Sequence, residues 1–219
     1  MKRDYNDIQT YYRDRAPVYD QIYSYPERQQ DYRFLENFIP GQMQGLDVLE
    51  VAAGTGYWTQ FIVEKAKSVL ATDITIEALD QINTRPLKTQ VSTKVLDAFN
   101  LYDLPLKFTA AFAGLWISHV PKQKLNDFLV SLHYCLTPGA RIIFLDNSAV
   151  QCKALPITDI DKWGNTYQNR ELEDNSVYRV LKNFPSKQEL FNATIEFGVG
   201  QEYIELEHFW VLTYTSRLK

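Results

Sequence analysis

Val48-Leu49-Glu50-Val51-Ala52-Ala53-Gly54-Thr55-Gly56 is the part of the chain from which its organisation can be worked out. The apolar run that begins at Leu46 carries an acid near its end. It then breaks into a turn of small residues and gives way to a helical pattern from Tyr57. Strand, tight loop and helix in that order put backbone N–H groups at a helix N-terminus, where they receive a polar ligand. Glycine suits such a loop because it takes positive φ and lets a ligand approach the backbone.

Two ligands suit this loop, and charge separates them. A dinucleotide loop holds a pyrophosphate and wants a third glycine for close packing of helix on strand. That place holds Thr59, and Glu50 would face two negative phosphates. S-adenosylmethionine has no phosphate and sets a sulfonium and an ammonium against one carboxylate. An acid at the strand end attracts it, so the methyl donor is the better match.

Two further acids fall where such a fold needs them. Ser68-Val-Leu-Ala-Thr-Asp73-Ile74 reads as a short buried strand ending in an acid. An acid about 20 residues beyond the loop is placed to accept hydrogen bonds from two ribose hydroxyls. Lys94-Val-Leu-Asp97-Ala98-Phe99 reads as a third strand ending the same way. Any one of these acids could be a cap or a solvated turn. Three at successive strand ends form a set.

On these residues the chain resembles the class I S-adenosylmethionine-dependent methyltransferases. Their first motif is acid-x-Gly-x-Gly-x-Gly, and here it is Glu50-x-Ala52-x-Gly54-x-Gly56, with Ala52 in place of the first glycine. The resemblance implies an α/β, Rossmann-like fold. Its seven-stranded, mostly parallel sheet would have an antiparallel C-terminal hairpin and helices on both faces. It also implies a cofactor site of Glu50, Ala52, Gly54, Gly56, Asp73, Ile74, Asp97, Ala98, Phe99 and Leu115. Within it Asp97 would take the adenine amino group, Ala98 would meet the ring through its backbone, and Ile74 would pack on an adenine face.

At 219 residues and 45% hydrophobic, the chain is long enough for one sizeable α/β domain and short for two. A net charge of −4, with no concentrated Lys/Arg run, disfavours a nucleic-acid partner. The N-terminal residues lack a signal-peptide core and no run reaches transmembrane length, so no membrane partner is expected. Cys135 and Cys152 lack metal or disulfide spacing and read as reduced thiols in a cytoplasmic protein. No His/Cys/Asp/Glu cluster has metal-ligand spacing, and no metal is expected.

Residues 1–40 read as a helical lid in three pieces near 4–15, 17–24 and 26–38. Pro17 and Pro26 each open a piece, and Pro40-Gly41 stops the last. The segment holds half of the chain's 14 tyrosines, with Tyr12, Tyr19 and Tyr23 roughly on one helical face. They form either an aromatic stripe on the core or a lid over cofactor and substrate; Tyr11 and Tyr19 are the residues chosen to line the pocket. From 46 to about 145, apolar runs near 46–51, 68–73, 91–96, 109–116 and 140–146 alternate with helical segments, the pattern of a parallel sheet. Residues 147–185 read as an insertion, with a hairpin from Tyr167 to Asn183 turning at Glu173-Asp174-Asn175. Ser186 to Glu189 has capping-box spacing. The tail from Thr194 to Ser216 reads as two strands turning near Gly198-Val-Gly200-Gln.

Methyl transfer is an in-line displacement, so positioning carries most of the catalysis and can supply about 7–11 kcal/mol. The substrate is expected beyond the carboxyl ends of the fourth and fifth strands. His119, on the loop after the fourth strand, is the candidate general base, or else caps that loop. Asp146, Asn147 and Ser148 either orient a polar substrate or form a turn. Trp58 lies either near the cofactor's methionine end or in the core. His133 and His208, the latter expected in the last strand, read as structural.

The leading expectation is a methyltransferase acting on an oxygen or nitrogen of a small-molecule substrate, with S-adenosylmethionine as cofactor. A macromolecule-directed enzyme lacks support: no Asn/Asp-Pro-Pro-Tyr/Phe signature, no Pro-Cys nucleophile and no appended binding domain is present. A nicotinamide oxidoreductase is opposed by Thr59 and Glu50. A non-catalytic cofactor-binding protein would tolerate lost acids, and all three acids are present.

Overall fold

The computed structural model describes residues 6–87, 91–104, 108–172 and 174–217. The first positions of the expected 4–15 helix and Glu173 of the expected hairpin turn lie outside them. Ten strands occur among the described residues: β1 (Asp47–Val51), β2 (Ser68–Asp73), β3 (Val91–Val95), β4 (Phe108–Gly114), β5 (Leu136–Asn147), β6 (Asp159–Ile160), β7 (Thr166–Glu171), β8 (Val177–Leu181), β9 (Gly198–Glu205) and β10 (Phe209–Ser216). The α-helices are α1 (Asn6–Arg15), α2 (Gln29–Gln42), α3 (Tyr57–Ile62), α4 (Ile76–Thr84), α5 (Leu125–Tyr134) and α6 (Lys187–Thr194).

Seven strands make one sheet in the order β3-β2-β1-β4-β5-β10-β9. Pairs among β1 to β5 are parallel, and β10 runs antiparallel to both β5 and β9. Period-two burial builds a core on each face. Leu49, Val51, Ala111, Ala113, Ile142 and Phe144 point to the face covered by α5 and α6. Val48, Ala110, Phe112, Ile143 and Leu145 point to the face covered by α2 and α3. The chain winds outward through β1, β2 and β3, then returns to β4 and β5. The topological switch therefore lies between β1 and β4, where an open α/β sheet binds its ligand at the strands' carboxyl ends.

Four expectations need correction. Between Ala16 and Arg28 the lid is 3-10 rather than α-helical. Helix α2 runs through Pro40 to Gln42 instead of stopping there. Proline costs a helix one backbone bond, and near a C-terminus that loss is tolerated; the reversal comes at Gly45, with φ 73. The C-terminal hairpin turns at residues 206–208, leaving Gly198 and Gly200 inside β9. A Cβ at Gly198 would collide with the Tyr214 ring, and Gly200 sits at φ 66 opposite a register shift in β10. Those glycines mark close approach and a bulge. His208 consequently lies in the turn, where its N–H donates to Asp31 Oδ2 at 2.8 Å.

The insertion forms its own sheet, in the order β6-β7-β8. Tyr178 of β8 donates to Asp14 of α1 at 3.1 Å and packs on Tyr11, so insertion and lid meet. At α6 both halves of the capping box are made by Ser186 and Glu189. No described helix is long and apolar enough to cross a membrane.

Candidate cofactor and acceptor site

A cleft with about 900 Å³ of empty space, open solvent included, lies at the carboxyl ends of β1, β2, β3 and β4. The β1 loop contributes Ala52, Gly54 and Thr55, β2 ends in Asp73 and Ile74, β3 leads to Asp97 and Ala98, and β4 leads to Leu115 and Trp116. Tyr12 and Tyr19 line it from the lid, and His119 lines it beside Tyr12.

The loop is held by its neighbour strand. Asp73 Oδ2 accepts the Gly54 N–H at 3.0 Å and Oδ1 accepts that of Thr75 at 2.9 Å. Burial raises the Asp73 pKa, while backbone N–H groups from Thr75 and Gly54 work against that rise. Each oxygen keeps a second lone pair for a hydroxyl donor. Asp97 Oδ1 accepts the Phe99 N–H at 2.9 Å. Ile74 is 40% exposed beside these acids, an apolar surface suited to an aromatic ring. Ala52, Gly54, Gly56 and Leu115 all have positive φ, at 53, 57, 80 and 58.

Of the residues expected to touch the cofactor, five lie off the cleft. Tyr11 is buried against Tyr12 and Tyr178, with Arg15 Nη1 donating to its hydroxyl at 2.5 Å. One residue along a helix is a turn of about 100°, and it is Tyr12 that faces inward. Glu50 is 1% exposed and accepts a hydrogen bond from Thr59 Oγ1 at 2.7 Å, so its carboxylate is turned onto α3. Burial pushes its pKa up to about 8, against the lowering effect of the Thr59 hydroxyl. Gly56 is the N-cap of α3, where a Cβ would come within 2.6 Å of Ile82 Cγ1. Trp58 packs in the core with Phe112 and Tyr23. Phe99 packs on Trp116 and Phe128.

His119 is buried between two partners. Its Nδ1 lies 2.6 Å from the Leu181 carbonyl oxygen, which only accepts, so Nδ1 carries the proton. Its Nε2 therefore accepts from the Tyr12 hydroxyl at 2.7 Å. Burial, then the nearby Lys182 and Arg170 charges, hold the imidazole well below its ordinary pKa, so it is neutral. The sequence singled out His119 but missed Tyr12 as its partner; the signal was the shared face of Tyr12 and Tyr19.

A second, smaller cavity, with about 470 Å³ of empty space, open solvent included, adjoins the first and shares Tyr12, Tyr19, Leu115 and His119 with it. Asn147 lines it, whereas Asp146 is fully buried and engaged. Asp146 accepts from the Ser118 N–H at 2.8 Å, the Ser118 hydroxyl at 2.9 Å and Lys182 Nζ at 3.1 Å. Ser148 caps a 3-10 turn. Lys182 and Arg170 come from the insertion, and no local pattern announced them. His133 is structural in its contacts: Nε2 lies 2.9 Å from the Tyr214 hydroxyl, and burial lowers its pKa to about 4.

A family model described as a methyltransferase domain matches residues 48–139, the segment from β1 into β5. Comparison with curated protein sequences gave no match. Among solved structures, the DhpI–SAH complex is 27% identical, with a TM-score of 0.79 over 98% of this chain and 97% of its own. The DhpI–SAM–HEP complex is 26% identical, with a TM-score of 0.76 over 95% and 96%. The N-methyltransferase NodS from Bradyrhizobium japonicum WM9, in complex with SAH, shares the fold at 10% identity and a TM-score of 0.69, over 96% and 98%. Sheet order, glycine loop and these likenesses define a class I, Rossmann-like methyltransferase domain. The chain is an S-adenosylmethionine-dependent methyltransferase of that class.

Proposed function

We propose that this enzyme methylates an oxygen or nitrogen of a small-molecule acceptor, with S-adenosylmethionine in the larger cleft and the acceptor in the smaller cavity. The observation that carries the reading is the shared wall of Tyr12, Tyr19, Leu115 and His119 between the two cavities. Donor and acceptor would meet there, with lid and insertion screening them from water. DhpI, whose complexes include SAH and a ternary SAM–HEP assembly, offers a parallel for a donor and a second component on one such chain.

The donor set fits the cofactor. Asp73 offers acceptors for ribose hydroxyls, Asp97 one for an amino group, and Ile74 an apolar face. Gly54 leaves nothing within 4 Å of where a Cβ would stand. When bound, the sulfonium supplies an electrophilic methyl carbon, whose bond to sulfur breaks, with the electron pair returning to sulfur, as the acceptor bond forms. Tyr12 and His119 handle the acceptor's proton. The phenol oxygen takes it while the phenol's own proton passes to Nε2, and Leu181 holds the other ring nitrogen in the tautomer this requires.

Transfer of a labelled methyl group from the cofactor into a fractionated cell extract tests the acceptor class. Label in the low-mass fraction is expected; label confined to RNA or protein would overturn the small-molecule assignment.

A further inference from the structure

The smaller cavity is lined by Arg15, Arg28, Arg170 and Lys182 and, among the described residues, by no carboxylate. Lys182 already has a counter-charge in Asp146, at 3.1 Å. The three arginines do not: among the described residues, none has a carboxylate oxygen within 4 Å. Arg15 spends Nη1 on the Tyr11 hydroxyl, and Arg170 spends Nη2 on Gln168 Oε1 at 2.6 Å. Arg28 lies over the Tyr25 ring, 4.9 Å from its centre. The Nε atoms of both Arg28 and Arg170 are buried with no hydrogen-bond partner.

These cations arrive from three separate elements: α1, the 3-10 segment before α2, and β7 of the insertion. Gathering like charges at one cavity is unfavourable unless an anion joins them, and a buried donor without an acceptor adds to that cost. Planar guanidinium forks match the oxygens of a phosphoryl or carboxylate group. We propose that the methyl acceptor carries such an oxyanionic group, seated in this cavity by Arg15, Arg28 and Arg170. The inference rests on the assignment of the adjoining cleft to the methyl donor. It also relieves a tension there: an anion among the arginines offsets the positive field of Arg170 and Lys182 at His119, making that imidazole a better proton acceptor.

The test uses the whole chain preloaded with S-adenosylhomocysteine and titrated calorimetrically with inorganic phosphate or acetate, at ionic strength held constant with sodium chloride. Saturable binding of one anion is expected. Phosphate in preference to acetate marks a phosphoryl acceptor, and the reverse marks a carboxylate; both support the site. Arg170→Gln and Arg28→Gln should each weaken the anion by about tenfold or more while leaving S-adenosylhomocysteine affinity unchanged, which also reports intact folding. If S-adenosylhomocysteine binds but neither anion saturates, or if anion binding ignores both substitutions, the proposal is overturned and the donor site stands. Arginine-dependent phosphate binding without S-adenosylhomocysteine binding would instead sink the donor assignment and leave the anion site.

Discussion

Ala52 holds φ 53 at the place where the methyltransferase motif has its first glycine, and Leu115, after the neighbouring strand β4, holds φ 58 in the same cleft lining. A left-handed backbone costs a non-glycine residue about 1–2 kcal/mol, and such strain gathers at ligand sites. Ala52→Gly relieves it but adds about 0.4–1 kcal/mol of unfolded-chain freedom. A net gain of up to about 1.6 kcal/mol in denaturant stability is expected. Gly56→Ala should do the reverse, losing about 1–3 kcal/mol, because its Cβ meets Ile82. Glu50 gives a pH signature in the ligand-free protein. Its folded pKa of about 8 lies above the ordinary 4.5, so the stability of the neutral form is complete below about pH 4.5 and is lost as pH rises through about 8. Glu50→Gln keeps an acceptor for Thr59, and its melting temperature should pull ahead of wild type from pH 5 to pH 8; a constant difference would contradict a buried, uncompensated carboxylate. Tyr12→Phe and His119→Gln should each lower kcat by about 10²-fold or more at unchanged cofactor affinity. Wild-type kcat in the phenylalanine variant would reduce the Tyr12–His119 contact to packing.

At the scale of elements, local patterns were legible and side-chain direction was not. Asp73 is the last residue of β2, while β3 stops at Val95 and the expected strand end, Asp97, lies two residues beyond it. Both acids line the cleft because they stand at or just past carboxyl ends of the parallel sheet. Glu50 is one residue short of the end of β1, on the face of Val48, and there it meets Thr59 of α3 rather than the cleft. Tyr11 and Tyr12 are indistinguishable by composition, and only the docking of α1 on β8 decides which faces inward. Gly198 and Gly200 resemble a turn in sequence because glycine serves a bulge as well as a reversal. The capping box at Ser186 was readable, being a local device with a fixed spacing. Ser186→Ala should cost about 1 kcal/mol in equilibrium unfolding without altering cofactor affinity; no loss would mean the two hydrogen bonds add nothing over water.

On the scale of the whole molecule, the switch between β1 and β4 creates the cleft, and residues of the lid and the insertion line the smaller cavity beside it. Arg15, Arg28, Arg170 and Lys182 converge only through that tertiary arrangement, which is why no local pattern announced them, although His119 and Asn147 beside them were singled out. A ligand that binds the folded chain alone stabilises it by about 2.7 kcal/mol at 100 times its dissociation constant. S-adenosylhomocysteine should therefore raise the melting temperature, and NAD should leave it unchanged. The most direct measurement is a calorimetric titration of S-adenosylhomocysteine into the wild-type chain and into Asp73→Ala. Binding to the wild type, weakened by about tenfold or more in the variant, is the expected result. Equal affinity in the two proteins would contradict the placement of the donor's ribose at Asp73.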